Sequence, residues 1–257
     1  MNHRLLTAER EQKIIELLKI SDFMTVSALS TDLNVSEATM RRDLQSMHER
    51  GLLERIHGGA TLQKSNQVEL VFSDKEGKQS SEKKRIAKAA LELILDNDVI
   101  YLDGGSTVLY LARLLNERKN LTIVTNSLMA ASILMEYNHR LILTGGELRT
   151  ISRTLVGPLT APVIQNINVN KAFMGTIGFT CQDGMTTTNT NEAFTKSQIL
   201  PRSRQVILLA DHSKLGISSF IASGSLTDVN YLITDSIGNT IREHLEQNGI
   251  TVIIAKE

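Results

Sequence analysis

Residues 36–47 of the chain read SEATMRRDLQSM. Within this stretch Met40, Leu44 and Met47 recur at i, i+4 and i+7, which is the spacing of one face of an α-helix. Gly51 follows shortly afterwards, where a glycine often ends a helix. The stretch therefore predicts an amphipathic helix, and the residues roughly opposite its apolar stripe are Ser36, Thr39, Arg42, Gln45 and Ser46.

Two further helical patterns precede this helix, and a hairpin pattern follows it. The apolar positions of the first two helices are Leu5, Leu6, Ile14, Leu17 and Leu18, and then Val26, Leu29 and Leu33. Within residues 52–62, Leu53, Arg55 and His57 occupy alternate positions before Gly58-Gly59, and Ala60-Thr61-Leu62 follow. This pattern is typical of a β-hairpin with a glycine turn. Three short helices and a hairpin predict that residues 1–62 form a small winged helix-turn-helix domain.

The polar face of this domain is a candidate DNA-binding surface. The third helix of such a domain can enter the major groove, where Arg41 and Arg42 can bond guanine edges or phosphates. Arg55 and His57, in the hairpin, can contact the DNA backbone or the minor groove.

Simpler interpretations of the same residues stay open. Ser36 can serve only as an N-cap of the helix. Arg41 can pair with Glu37 or Asp43 on a solvated face. Residues 1–64 hold nine Lys or Arg and nine Asp or Glu, so the domain has no basic surplus. Affinity for DNA would then depend on the placement of a few cations and on more than one copy of the domain per site.

The overall composition is that of an ordinary globular protein. Of the 257 residues 41% are hydrophobic and 22% are charged, and the 28 basic and 28 acidic residues cancel. Whole-chain disorder is therefore excluded, and so is a globally basic nucleic-acid binder.

The distribution of cysteine, histidine and apolar residues indicates the cellular compartment of the protein and which stabilising groups it lacks. Cys181 is the single cysteine, which excludes an internal disulfide, and the six histidines show no metal-ligand spacing. Residues 1–20 contain three glutamates, unlike a signal peptide, and no apolar run approaches the roughly 20 residues that span a bilayer. The sequence predicts a soluble cytoplasmic protein without metal, cofactor or membrane contact.

The second half of the chain has a different pattern. Residues 63–80 are polar and aperiodic, and they predict a linker with a small apolar anchor at Val68, Leu70, Val71 and Phe72. Residues 81–257 alternate helical stretches with seven short apolar runs, which predicts an α/β domain with a mainly parallel sheet. The runs are 99–102, 121–124, 141–143, 172–174, 206–209, 231–233 and 252–255.

Glycine, hydroxyl and charged residues follow most of these runs. Ligands of open α/β folds bind outside the carboxyl ends of the strands, so these loops predict a binding site. Loop 104–107 is a candidate phosphate cradle with Lys214 or Arg149 as counter-charge, and carboxylate and amide groups can bond sugar hydroxyls. The predicted ligand is a small phosphorylated polyhydroxy compound. The candidate residues are Asp103, Gly104, Gly105, Ser106, Thr107, Thr125, Asn126, Ser127, Gly145, Gly146, Arg149, Gly175, Glu192 and Lys214.

Each of these loops alone is weak evidence, because any turn between a strand and a helix favours such residues for its own caps. Five of them on one edge, together with a lysine, favour a site. Asp211 is interpreted as a cap of the next segment, and Lys196 as a surface charge.

The N-terminal pattern resembles that of the DeoR family of bacterial transcriptional regulators. The similarity rests on Arg10, Ile14 and Leu18, on the run from Ser36 through Thr39-Met40-Arg41-Arg42-Asp43-Leu44, and on GLLERIHGGA at 51–60. It implies a DNA-binding helix-turn-helix. The residues to which the resemblance assigns DNA contacts are Ser36, Thr39, Arg41, Arg42, Arg55 and His57.

The second half is similar to the sensor domain of the same family. The similar stretches are DGGST at 103–107, TNS at 125–127, TGGELR at 144–149, GTIG at 175–178 and ADHSKLG at 210–216. The resemblance implies a fold like that of sugar-phosphate isomerases such as ribose-5-phosphate isomerase, and a phosphorylated sugar or polyol as effector. His212 departs from the family, in which Ser is more usual, and this leaves the identity of the effector open.

Three functions are compatible with these features. The first is a homo-oligomeric regulator, by family habit a repressor of a sugar or polyol catabolic operon, and not an enzyme. The second is a sugar-phosphate isomerase-like enzyme with an appended DNA-binding module, in which Asp103, Glu192 or Asp211 supplies acid/base chemistry. The third is a DNA-binding protein whose second domain only oligomerises.

Overall fold

The computed structural model describes residues 7–20, 23–49, 52–56, 58–61 and 71–256. The chain divides into two compact units, Met1–Gln67 and Val68–Glu257. Each unit has hydrophobic core residues of its own.

The first unit is a winged helix-turn-helix, as predicted. Its elements are α1 (Thr7–Ile20), β1 (Phe23–Thr25), α2 (Val26–Asp32), α3 (Glu37–Glu49), β2 (Glu54–Ile56) and β3 (Gly59–Thr61). The predicted hairpin pairs β2 with β3, and β1 adds to the other side of β3 as a third antiparallel strand. The predicted core positions Met40, Leu44 and Met47 are fully buried. Leu5, Leu6, Gly51 and Leu62 lie outside the described residues.

The second unit alternates helices and strands. Its elements are α4 (Phe72–Gly77), α5 (Ser80–Leu91), β4 (Val99–Leu102), α6 (Ser106–Ala112), β5 (Thr122–Thr125), α7 (Leu128–Leu134), β6 (Arg140–Leu143), β7 (Glu147–Arg149), β8 (Thr154–Val156), α8 (Ala161–Ile164), β9 (Val169–Met174), β10 (Gly178–Thr180), β11 (Gly184–Thr187), α9 (Thr190–Ile199), β12 (Ser203–Leu209), β13 (Ile221–Gly224), β14 (Tyr231–Thr234), α10 (Asn239–Gln247) and β15 (Thr251–Ile254).

A seven-stranded sheet forms the centre of this unit. Its strand order is β15-β14-β12-β9-β4-β5-β6, and every neighbouring pair is parallel. The seven apolar runs are its seven strands, so the predicted α/β class is confirmed. Successive residues of β4 pack into different cores, Ile100 and Leu102 into one and Tyr101 into the other. Burial on both faces explains why these strands are continuously apolar.

Two small antiparallel sheets lie outside the central one. The first is the hairpin of β7 and β8, and the second has the strand order β10-β11-β13. The sequence pattern predicted neither of them.

The segment assigned to a linker is partly helical. Residues 72–77 form α4, and α5 begins at Ser80. Of the expected anchor residues, Phe72 is buried in the core of the second unit, Val71 is 45% exposed, and Val68 and Leu70 lie outside the described residues. The bounds 1–62, 63–80 and 81–257 stay a prediction for the domains.

Candidate functional site

The outer face of α3 presents the side chains proposed to contact DNA. Ser36 precedes the helix, and its hydroxyl accepts a hydrogen bond from the N–H of Thr39 at 3.2 Å, which is N-cap geometry. Arg41 is exposed and pairs with Glu37, one turn earlier, at 2.8 Å. Arg42 is exposed, and no hydrogen bond or ion pair joins it to another residue that the structure describes.

A hydrogen bond between side chains links the wing to this helix. Arg55 of β2 donates a hydrogen bond to Gln45 of α3 at 2.6 Å. His57, the other candidate of the wing, lies outside the described residues. Asp43 does not pair with Arg41, because its carboxylate accepts two hydrogen bonds from Arg10 of α1, at 2.7 and 3.0 Å. Both side chains of this pair are buried. The hydrogen bond to Asp43 raises the pKa of Arg10, and the pair holds α1 against α3.

The strand order places a topological switch point between β4 and β9. From β4 the chain continues to β5 and β6 on one side, and from β9 it continues to β12, β14 and β15 on the other. In open α/β sheets ligands bind at such a point, outside the carboxyl ends of the strands. Asp103 directly follows β4 and Gly175 directly follows β9.

A buried ion pair lies at this point. The Asp103 carboxylate accepts hydrogen bonds from the N–H of Gly175, at 3.0 Å, and from the ammonium group of Lys196. Lys196 also donates to the carbonyl of Gly175 at 2.8 Å. Burial raises the pKa of Asp103, and the charge of Lys196 opposes that shift.

The interpretation of Lys196 as a surface charge is wrong. The residue is only 6% exposed and reaches the switch point from α9. A signal for this was present in the sequence, because Lys196 follows Glu192 by four residues and therefore shares its helix face.

Glu192 extends the site toward the β7–β8 hairpin. Its carboxylate accepts a hydrogen bond from the Thr187 hydroxyl at 2.7 Å and lies 3.5 Å from the guanidinium group of Arg149. Arg149 also donates to the hydroxyl of Ser152 at 3.1 Å. Asp103 and Glu192 are close enough for the charge of Glu192 to raise the pKa of Asp103.

Asn126 contributes an unsatisfied acceptor. Its amide nitrogen donates to the carbonyl of Leu155 at 3.2 Å, while its buried Oδ1 atom has no hydrogen-bond partner among the described residues. Gly104 lies beside this atom: a Cβ added at Gly104 would be 3.9 Å from Oδ1 of Asn126. The same Cβ would overlap the methyl group of Thr154. We call Asp103, Asn126, Arg149, Gly175, Glu192 and Lys196 the switch-point cluster.

The remaining candidates have other positions. The Thr125 hydroxyl donates to the carbonyl of Leu102 at 2.7 Å, and the Ser127 hydroxyl caps α7, so both serve the fold. Gly145 and Gly146 form a turn with positive φ after β6. Gly105 precedes α6 with φ +150°, and Ser106 and Thr107 form the first turn of that helix.

Lys214 lies in the loop after β12 and is half-buried. Burial lowers its pKa, and the charge of Asp211 opposes that shift. Asp211 caps the turn that contains Lys214, as expected. Within the part of the chain that is described, no hydrogen bond or ion pair joins Lys214 to the switch-point cluster. The neighbouring His212 is oriented by Asp235, at 2.7 Å.

A cavity of about 450 Å³ lies elsewhere in this unit. It is lined by residues of 116–120 and 136–139, which precede β5 and β6. These loops are at the amino ends of the strands, on the edge opposite to the one where α/β folds bind ligands. The described residues contain no group of three His, Cys, Asp or Glu that could hold a metal ion. They also contain no helix long and apolar enough to cross a membrane.

A winged helix-turn-helix unit followed by an α/β unit with a polar cluster at its switch point defines a DNA-binding regulator with a sensor domain. Residues 10–66 match the DeoR-like helix-turn-helix domain, and residues 78–236 match the DeoR C terminal sensor domain. The chain belongs to the DeoR family of transcriptional regulators.

Curated relatives match over nearly the whole chain. The HTH-type transcriptional regulator GlpR of Haloferax volcanii is 37% identical over 97% of this chain and 98% of its own length. The HTH-type transcriptional regulator GolR of Listeria innocua is 38% identical, over 96% and 98%. The glycerol-3-phosphate regulon repressor of Escherichia coli is 34% identical, over 89% and 90%. Because these relatives are regulators, the prediction that the chain is not an enzyme is confirmed.

A solved structure is similar to part of the chain. Ribose 5-phosphate isomerase A of Methanocaldococcus jannaschii aligns with a TM-score of 0.40 and 20% identity, over 53% of this chain and 54% of that one. This similarity is too low to assign the switch-point cluster a ligand or a reaction.

Proposed function

We propose that this protein represses a sugar or polyol catabolic operon and that a phosphorylated sugar or polyol, bound at the switch-point cluster, controls its affinity for the operator. The observation that carries the proposal is the buried polar arrangement at the carboxyl ends of β4 and β9. There Asp103, Lys196 and the Gly175 backbone meet, and Asn126 Oδ1 has no hydrogen-bond partner among the described residues.

The cluster suits a polyhydroxy ligand. A sugar hydroxyl both donates and accepts hydrogen bonds. Asn126 Oδ1 and the carboxylates of Asp103 and Glu192 are acceptors, and the ammonium group of Lys196 is a donor. A buried acceptor without a donor costs roughly 1–3 kcal/mol, and a ligand hydroxyl at Asn126 would remove that cost.

The phosphate would lie on the glycine loop that borders the cluster. Gly105 carries no side chain and has room beside its Cα, so its backbone N–H can approach an anion closely. Arg149 or Lys214 would supply positive charge. The relatives support this ligand class through the name of the E. coli glycerol-3-phosphate regulon repressor.

The proposal includes a cytoplasmic homo-oligomer that brings at least two DNA-binding units to one operator. A unit without basic surplus gains affinity when two copies bind together, since the second contact becomes intramolecular. The proposed DNA contacts are Ser36, Thr39, Arg41, Arg42, Arg55 and His57.

The first test is a thermal-shift screen of the full-length protein against sugar phosphates, glycerol 3-phosphate and their unphosphorylated parents. A ligand at about 100 times its dissociation constant adds roughly 2.7 kcal/mol to the stability of the unit that binds it. We expect one phosphorylated compound to raise the melting temperature, its parent to have no effect, and Lys196→Met and Asp103→Asn to abolish the shift.

Lys171→Met is the matched control. Lys171 forms an ion pair of 2.7 Å with Asp98, which precedes β4 and is therefore at the opposite edge of the sheet. The control should keep the full ligand shift. A shift that persists in both cluster variants would contradict the assigned site. The same ligand should change the dissociation constant for a DNA duplex selected from random sequence by about tenfold or more, which is about 1.4 kcal/mol of coupling.

A further inference from the structure

The β7–β8 hairpin contacts the switch-point cluster along its strands. Arg149 of β7 lies 3.5 Å from Glu192. In β8, Leu155 exchanges two hydrogen bonds with Asn126, accepting one from its side chain at 3.2 Å and donating one to its backbone carbonyl at 2.8 Å. The methyl group of Thr154 occupies the space where Gly104 would carry a side chain. A ligand at the cluster would therefore touch residues that are fixed to this hairpin.

The turn of the same hairpin contacts α4. The carbonyl of Ile151 accepts a hydrogen bond from the N–H of Phe72 at 3.0 Å. The guanidinium carbon of Arg153 lies 5.8 Å from the centre of the Phe72 ring, within the range of a cation–π contact. Since Phe72 is the first residue of α4 and is 3% exposed, the turn packs against the buried start of this helix.

Helix α4 is the first described element of the second unit, and the first unit ends at Gln67. The helix also contacts α5 and α6. Lys83 of α5 donates to the carbonyls of Lys75 and Lys78, and Glu76 pairs with Arg113, which directly follows α6. A displacement of the hairpin turn therefore acts on one end of α4 while the other end is held.

The turn is also held in a costly conformation. Arg153 has φ +55°, in the left-handed region, which costs a residue other than glycine roughly 1–2 kcal/mol. Such a conformation persists only when its surroundings determine it. Here Phe72 packs on one side of Arg153, and the start of α7 lies on the other. The N–H of Leu128 in α7 donates a hydrogen bond to the Arg153 carbonyl at 3.1 Å.

We infer that the β7–β8 hairpin couples the switch-point cluster to α4, the first described element after the DNA-binding unit. The inference rests on the proposed function for the identity of the input, a ligand at the cluster. A ligand phosphate that draws Arg149 away from Glu192 moves β7, and the turn then moves against Phe72. Only a ligand with different affinities for the two positions of the hairpin shifts operator binding.

The test is peptide-level hydrogen exchange on the full-length protein without ligand. Arg149→Met removes the ion pair with Glu192 at the cluster end of the hairpin. We expect exchange of the peptide spanning 72–78 to become about threefold faster or more, because a loosened turn holds α4 less tightly. Lys171→Met is the control, since it removes an ion pair of similar burial at the other edge of the sheet. It should leave α4 unchanged.

Two outcomes would overturn the inference. In the first, Arg149→Met leaves exchange at α4 equal to that of the wild type. In the second, both variants accelerate it equally, which is global destabilisation and not a path through the hairpin.

A reverse variant keeps the inference testable if Arg149→Met does not fold. Arg153→Gly suits the left-handed turn and removes the contact with Phe72. Since coupling is reciprocal, it should accelerate exchange at 187–196, the peptide that holds Glu192. No change there would also overturn the inference. Because ligand is absent throughout, these results are independent of the ligand screen, which alone decides the proposed function.

Discussion

The Asp103–Lys196 pair illustrates how a buried charge is retained at a site. Both side chains are almost fully buried, and taking two charges out of water costs several kcal/mol that their attraction only partly offsets. A stabilising role is therefore a poor explanation for the pair. Preorganised donors and acceptors at a binding site are a better one.

The raised pKa of Asp103 predicts a pH dependence. Between the ordinary pKa of 3.8 and the folded pKa, the folded protein binds more protons than the unfolded chain. The contribution of Asp103 to stability is therefore fully present below pH 3.8 and is lost as the pH rises through the folded pKa. We expect the unfolding free energy of the wild type to fall relative to that of Asp103→Asn over this window. Urea titrations of both proteins at a series of pH values from about pH 3 upward measure the difference, and a constant difference would contradict it.

The exposed side chain of Arg42 in α3 is predicted to contribute to DNA binding. Arg42 is exposed and unpaired within the described residues, so Arg42→Ala should weaken operator binding by about 10- to 100-fold, roughly 1–3 kcal/mol, without changing the melting temperature. Arg204→Ala, an exposed arginine of the second unit, is the control for general charge. Equal losses in both variants, measured by fluorescence anisotropy, would remove Arg42 from the interface.

Substitution of the two glycines of the wing should destabilise the protein to different extents. A Cβ at Gly59 would overlap the carbonyl of Met24 and the ring of Phe23, so Gly59→Ala must push β1 away from β3. Gly58 has open space but φ +83°, so Gly58→Ala costs only the roughly 1–2 kcal/mol of a left-handed residue. Thermal unfolding should show the larger loss for Gly59→Ala. The reverse order would contradict the close pairing of β1 with β3.

The sequence predicts the elements of the central sheet better than those around it. A strand buried on both faces has to be apolar throughout, which makes it visible as a run, as in 99–102 and 206–209. Strands β1, β7 and β10 have three residues each, too few for a period to emerge. Helix α4 was missed for the same reason, because only Phe72 marks its apolar side.

The candidate site was predictable only where the chain itself brings residues to the sheet edge. Asp103 and Gly104 follow β4 directly, so the strand-end rule finds them. Lys196 reaches Asp103 from 93 positions away. Its spacing from Glu192 places both residues on one face of α9, but the contact with Asp103 depends on how α9 packs against the sheet.

For the whole molecule, a net charge of zero limits non-specific attraction to DNA. If Arg41, Arg42 and Arg55 each neutralise one phosphate, the logarithm of the binding constant should fall with the logarithm of salt concentration with a slope of about −2.7 per copy. Two copies on one operator give about −5.4. A salt titration of operator binding measures the slope, and a value near −2.7 would contradict the proposed pairing of two units.

The switch between β4 and β9 also affects how the chain is made. As synthesis proceeds, β5 and β6 can add to β4 in turn. Strand β9 comes later, because its Lys171, which pairs with Ile100 of β4, is synthesised 71 residues after Ile100. At ordinary elongation rates that interval is roughly 4 to 14 s, during which one edge of an apolar strand has no neighbour. Such an edge recruits other strands, including those of neighbouring nascent chains. The position proposed to bind a ligand therefore also leaves an apolar strand edge unpaired during synthesis, which makes biogenesis sensitive to chaperones and to the pace of the ribosome.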